Sequence, residues 1–416
     1  MTRLNAPSAE LVEHGAPPGD RALPPPLRGR VGVGGAPSET LSLSAPTPDP
    51  GSSPGQAPSP QGGGETTRRS FIAGSLALGG LASVQVFSAH PALAQSTKAE
   101  LDAFSIPAPE RIAVRARPID SFDLRDRAHR RFGALQFRSG LMLTSPFRGF
   151  GGLSALRLDP KGERFVAISD RGLWFTGRIA YNGAEMTGVA DVEAAPLLGS
   201  DGQPLTKRKW YDSEALAFDG GTAFVGYERV NQILKFDFGR DGVRALGQPI
   251  AVPPGLRKLP NNKGIESLVA VPKGLPLAGT LIAISERGLD ADRNIVGFLI
   301  GGRAPGQFAV RRSDDFDVSD AALLPSGQLL ILERKFSWIQ GGHIRIRRIE
   351  LSALTPGAIV DGPVLFNADL GHEIDNMEGI DVHLDAAGDT VLTMVSDDNF
   401  SMLQRTLLLQ FVLVDD

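Results

Sequence analysis

Asp212-Ser-Glu-Ala-Leu-Ala-Phe-Asp-Gly-Gly-Thr-Ala-Phe-Val-Gly-Tyr-Glu-Arg229 is an apolar hairpin bracketed by acids. Acidic and hydroxyl residues open a short apolar run, Asp-Gly-Gly turns the chain, and a second run ends on Glu-Arg. Two short runs around a Gly-rich turn are the grammar of paired β-strands. The same grammar returns four times: Gly152-Leu-Ser-Ala-Leu to Ser169-Asp-Arg-Gly172, Lys263-Gly-Ile-Glu-Ser-Leu to Ser285-Glu-Arg-Gly288, Asp317-Val-Ser-Asp-Ala to Leu332-Glu-Arg334, and Asn376-Met-Glu-Gly-Ile to Ser396-Asp-Asp-Asn399. With Ser154, Glu214, Glu266, Asp320 and Glu378 taken as equivalent, the steps are 60, 52, 54 and 58 residues. Repeats of roughly this length are blades of a β-propeller with inserted loops. The fold class is therefore all-β, a β-propeller with five blades visible; a sixth would draw on residues 100–150. A β-sandwich leaves the period unexplained. The last copy is one strand short, and Ala134 to Thr144 is placed to supply it and clasp the ring shut.

Composition sets the outer bounds. The 416 residues are 42% hydrophobic and 22% charged, with 49 Gly and 31 Pro, which suits many short elements joined by turns. A formal net charge of −4 gives no electrostatic case for a nucleic-acid partner. Cysteine is absent, so disulfides, thiol nucleophiles and Cys-ligated zinc are excluded. The six His form no i,i+4 pair, which argues against a zinc-protease site. His372 and His383 flank the last repeat opening and are read as surface or core residues. Asp290-Ala-Asp-Arg-Asn294 lacks the Gly and distal Glu of an EF-hand loop and is read as a polar loop.

The first hundred residues read as an address. Residues 1–66, rich in Pro, Gly and Ser, show no apolar periodicity and form a disordered or mis-assigned leader. Residues 67–94 carry Arg68-Arg69, an apolar run from Ile72 to Phe87, and Ala92-Leu93-Ala94. This resembles a twin-arginine export signal, with the translocase as a transient partner and the periplasm or exterior as destination. The run is shorter than the ~20 apolar residues of a membrane span, so no stable span is expected. Residues 95–131 are a linker with the first strands, and 132–416 form the propeller domain, expected to be monomeric.

Radial repetition brings the recurring residues to one channel mouth. Glu214, Glu266, Glu378 and Asp397 are the candidate catalytic carboxylates, holding metal or water. Asp170, Glu228, Glu286, Asp320, Glu333 and Asp398 are candidate metal ligands. Arg171, Arg287, Arg334, Lys335 and Lys263 are candidates for gripping an anion. An oxygen-rich shell poor in His and lacking sulfur is hard, and suits Ca²⁺ before Zn²⁺ or Cu²⁺. The competing reading of the acid–Arg pairs is a structural lattice tying blade to blade.

Taken together, Gly152-Leu-Ser-Ala-Leu with Ser169-Asp-Arg-Gly, Asp212-Ser-Glu-Ala-Leu, Asn262-Lys-Gly-Ile-Glu266, Glu333-Arg-Lys-Phe-Ser337, Asn376-Met-Glu-Gly-Ile380 and Ser396-Asp-Asp-Asn-Phe400 resemble the bacterial phytase-like family named for esterase-like activity of phytase. The resemblance spans roughly Phe132 to Val414. It implies a propeller and suggests hydrolysis of a small anionic phosphate ester, or of a carboxylic ester or lactone on the same site. A non-enzymatic binding or scaffold propeller is the alternative from another class.

Overall fold

The computed structural model describes residues 106–337 and 341–414. The leader and the twin-arginine signal lie outside the described residues. Among those described, the regular structure is nearly all strand, with one four-residue α-helix, Phe238–Asp241, and short 3-10 turns. Five small sheets, antiparallel except where Gly306–Val310 pairs with Ile359–Val360 at one outer edge, stand in a ring, so the propeller has five blades.

Each blade starts at the axis and works outward. The innermost strands are Leu153–Leu158, Ser213–Asp219, Ile265–Ala270, Asp317–Leu323 and Asn376–Leu384, in blades 1 to 5. Each inner strand contacts those of the two neighbouring blades, and blade 5 returns to blade 1. The second strands, Arg164–Ser169, Thr222–Tyr227, Thr280–Leu289, Gln328–Ser337 and Thr390–Asp397, run back antiparallel. The starts of the first strands and the second-strand residues paired with them therefore share one face, the mouth. Near the axis there is little room. A Cβ on Gly379 of blade 5 would press on the backbone of Ala155 and Leu156 in blade 1, so only glycine fits there.

The ring is closed by strands from both ends of the propeller. Thr406–Leu413 pairs on one side with Thr390–Asp397 and on the other with Leu135–Thr144, which in turn pairs with Arg115–Ile119. The region expected to clasp the ring does so, and blade 5 is finished by the residues that precede blade 1. Between blades the faces pack with bulky side chains: Phe122, Phe132, Phe137, Phe366 and Phe411 share one core, and Trp174 and Phe236 another. Burial of such rings is the main favourable term holding blades together.

The middle of the channel is filled by an ion pair. Arg157 of blade 1 meets Asp320 of blade 4 through two bonds, 2.7 and 2.9 Å long. Its guanidinium also donates to the carbonyls of Leu156, Leu268 and Ile380, in blades 1, 3 and 5. The second Asp320 oxygen accepts the Ile380 amide at 3.0 Å. Burial works against the charge on Arg157, and Asp320 outweighs it, holding the guanidinium pKa above its ordinary value.

Candidate active site at the mouth of the ring

A β-bulge recurs at the same place in every inner strand. Pairing slips by one residue between Leu153 and Ala155, Ser213 and Ala215, Ile265 and Ser267, Val318 and Asp320, and Met377 and Gly379. The extra residues are Ser154, Glu214, Glu266, Ser319 and Glu378. Bulges re-aim a side chain out of the ladder, here toward the mouth. Blade 4 thus differs from the sequence alignment by one position: Ser319, not Asp320, is the counterpart of Glu266, and Asp320 belongs to the channel ion pair below.

The closing residues obey the same register. Ser169, Tyr227, Ser285, Glu333 and Ser396 pair with the residue before each bulge. The next residues are Asp170, Glu228, Glu286, Arg334 and Asp397. Four blades present a carboxylate and blade 4 presents a guanidinium. Glu333 lies one position earlier and is fully buried, where Arg345 and Arg347 of the next strand bind it through four contacts of 2.6 to 3.3 Å. Asp320 and Glu333 are accordingly held away from the mouth set by their own arginines, and the Glu-Arg of blade 4 only looks like the acid-Arg of blades 1 to 3.

The remaining acids gather. Carboxylate oxygens of Glu228, Glu266 and Glu286 lie within 4.8 Å of one another. Arg334 donates to Asn376 Oδ1 at 2.9 Å, reaches Glu286 Oε1 at 3.5 Å, and pairs with Glu378 Oε1. Asn376 Nδ2 donates to that same Oε1 at 2.7 Å, while the buried Glu378 Oε2 has no hydrogen-bond partner. Asp170 Oδ1 is likewise buried without one.

Crowding of like charge in a dry setting dominates the electrostatics. Burial, then Asp212 and Glu286, push Glu228 up to about 8. Burial, with Asp398 adding to it, pushes Asp397 up to about 7, against the 2.6 Å bond its Oδ1 accepts from the Asn399 amide. Burial and neighbouring carboxylates raise Asp170, Glu214 and Glu266 well above the ordinary range. Burial opposes the charge on Arg334, but Glu266, Glu286 and Glu214 outweigh it and raise its pKa.

Arg287, Arg229, Arg171 and Lys335 have structural partners. Arg287 bonds Asp317 at the head of blade 4, and Arg312 holds the other Asp317 oxygen at 3.0 Å. Arg229 bonds Asp212 at 2.8 Å. Arg171 lies 3.7 Å from Asp170 and over the Phe400 ring at 4.9 Å. Lys335 sits over the Phe316 ring at 4.9 Å. Lys263 is half-buried in the loop leading into blade 3. Asp398 accepts the amides of Gly152 and Phe400 through Oδ1 and the Thr406 hydroxyl through Oδ2. His372 pairs with Asp369 on the outer connection, and His383 lies against the turn glycine Gly162. Clefts of about 420 Å³, lined by Ile112 and Phe147, and 430 Å³, lined by Pro253 and Phe298, contain none of the carboxylates of the mouth set.

Gly152 sets the edge of this site. Its φ of 60° is left-handed, and a Cβ there would overlap the Asp170 carboxylate and the Phe400 ring. Gly152→Ala is expected to cost about 1–3 kcal/mol, from backbone strain plus displacement of Asp170. Thermal unfolding in chelator checks this; an unchanged Tm would mean that Asp170 is free to move aside.

No curated protein matches the sequence. Among solved structures, a chain of a nidogen/laminin complex shares 13% identity over 64% of this chain and 87% of that one, with a TM-score of 0.31. Glutaminyl cyclase of Myxococcus xanthus shares 12% identity over 74% and 100%, at 0.33. A glucose dehydrogenase shares 14% over 73% and 99%, at 0.31. None of these similarities reaches a level that speaks to chemistry. The family comparison does: the model described as "Phytase-like: Esterase-like activity of phytase" matches residues 148–400, from the loop before blade 1 to the Phe400 that covers Arg171, and the chain belongs to that family.

Proposed function

We propose that the protein is an exported hydrolase of phosphate esters whose mouth site binds Ca²⁺. The observation that carries this reading is the convergence of Glu228, Glu266 and Glu286 within 4.8 Å beside a buried, unpartnered Glu378 oxygen. The donors are all oxygens, and of the ten bulge and closing positions among the described residues one, Arg334, is basic. Such a set fits a hard divalent cation. When bound, the ion supplies charge neutralisation and polarises a phosphoryl oxygen.

The chain's own residues would do the rest. Glu228, Glu266 and Glu286 hold the cation, with Glu214 behind them, hydrogen-bonded to Ser154. Arg334 sets its positive charge toward the anion from the one blade that lacks a closing carboxylate. Glu378, oriented through Oε1 by Arg334 and Asn376, has Oε2 free to take the proton of an attacking water. Asp397, poised at about 7, can give a proton to the departing oxygen as the P–O bond breaks.

Purified protein is expected to hydrolyse phosphomonoesters with Ca²⁺ and to lose that activity in chelator. Glu266→Gln and Glu378→Gln are each expected to lower kcat/KM by about 10²-fold or more. Turnover indifferent to chelator and to both substitutions would overturn the assignment. Carboxylic esters and lactones assayed alongside test the esterase alternative.

A further inference from the structure

The two most exposed large apolar side chains among the described residues, Met402 at 102% and Leu403 at 69%, are adjacent in one loop of the mouth face. That loop joins the second and third strands of blade 5, between Asp397 and Thr406. Both of its ends are fastened. At the start, Asp397 Oδ1 accepts the Asn399 amide, and Asp398 Oδ1 accepts those of Phe400 and Gly152. Asn399 and Phe400 both stand at φ 49°, a left-handed pair that non-glycine residues adopt only when the surroundings impose it. At the end, Arg405 bonds Glu373 at 2.5 Å, and its amide and that of Leu403 are taken by Asp375 and Ser401. A loop pinned this firmly holds its apolar tip in water by construction.

The tip is continuous with the candidate site. Phe400 covers Arg171, and the neighbouring loop carries Phe147 and Phe150, both half-buried. The sector of the rim between blades 5 and 1 thus adds Phe147, Phe150, Met402 and Leu403 to the acids and Arg171 beneath it, whereas the cation-binding acids come from blades 2 and 3. We infer that the loop Asp398–Arg405 is the specificity element of the mouth, and that the substrate is an anionic ester with an alkyl or aryl group resting on Met402 and Leu403. A polyhydroxylated ester would leave these side chains in water and gain nothing from them. This inference rests on the hydrolase reading for the anionic end and adds the chemistry of the other end.

The experiment uses glycerol phosphate and butyl and octyl phosphate, at saturating Ca²⁺. In the unaltered protein kcat/KM is expected to rise about tenfold from butyl to octyl, well below full burial of four methylenes because the loop is open on one side. In the double variant Met402→Ser, Leu403→Ser the chain-length gain is expected to disappear, while the Ca²⁺-dependent gain in Tm, which reports the acids of blades 2 and 3, is kept. Equal rates on glycerol and octyl phosphate, or a chain-length gain that survives in the variant, would overturn the inference. If no ester is turned over, the hydrolase reading fails separately. The loop is then judged by calorimetric binding of butyl against octyl phosphate, where equal affinities sink it and a tenfold preference lost in the variant upholds it.

Discussion

Arg157→Ala is expected to destabilise the fold by about 3–5 kcal/mol, because it strands a charge at the centre of the ring. Asp320 is fully buried, and its two oxygens face the guanidinium at 2.7 and 2.9 Å. Removing Arg157 leaves that carboxylate with the Ile380 amide, and also takes the donor from carbonyls in blades 1, 3 and 5. One side chain thereby ties four of the five inner strands. Asp320→Ala should cost a similar amount by stranding the guanidinium. The double change Arg157→Met, Asp320→Leu should recover most of the loss, since the cost lies in the unpaired partner and not in the absence of a pair. Denaturant unfolding of the four proteins measures this directly. A single-variant loss below about 1 kcal/mol would show that water reaches the channel centre and solvates the residue left behind.

The propeller was legible because a hairpin bracketed by acids recurs, and recurrence survives loops of uneven length. The clasp by Leu135–Thr144 was legible for a related reason: the last copy lacks a strand and only the N-terminal side has one to spare. The site was half legible. Glu214, Glu266 and Glu378 stand at bulges, and a bulge leaves no mark on composition. Spacing alone therefore aligns Asp320 with them, whereas the register aligns Ser319. The same one-residue slip paired Glu333 with Glu228 and Glu286 and hid the fact that Arg334 occupies the carboxylate position. What settles blade 4 is a competition for partners. Arg345 and Arg347 on the third strand claim Glu333, and Arg157 claims Asp320, across distances that no local pattern reveals. The clue available was Arg157 itself, a charge inside the apolar run Leu153–Leu158 that needed an acid in another blade.

Removal of divalent cations is expected to make stability fall steeply as pH rises, and Ca²⁺ is expected to abolish the fall. The sign follows from the mouth acids. Folding raises Glu228 from an ordinary 4.5 to about 8 and Asp397 from 3.8 to about 7. Between the unfolded and folded values the native state binds more protons than the unfolded chain, so stability decreases with pH. The contribution is complete below about pH 4 and gone once pH has passed the folded values. Between pH 5.5 and 9 the loss should be about 3–5 kcal/mol, allowing for the mutual coupling of the two acids with their neighbours. A cation needs its carboxylates ionised, so its affinity grows over the same range. At a hundredfold excess over Kd it returns about 2.7 kcal/mol. Tm in chelator should therefore drop from pH 5.5 to 9, while Tm in saturating Ca²⁺ stays level or rises. Glu266→Gln, which removes one repelling charge and one ligand, should flatten the chelator curve and shrink the Ca²⁺ increment together. A chelator curve that climbs with pH would mean the acids are ionised and solvated in the native state. A Ca²⁺ increment identical in Glu266→Gln would place the ion elsewhere on the molecule.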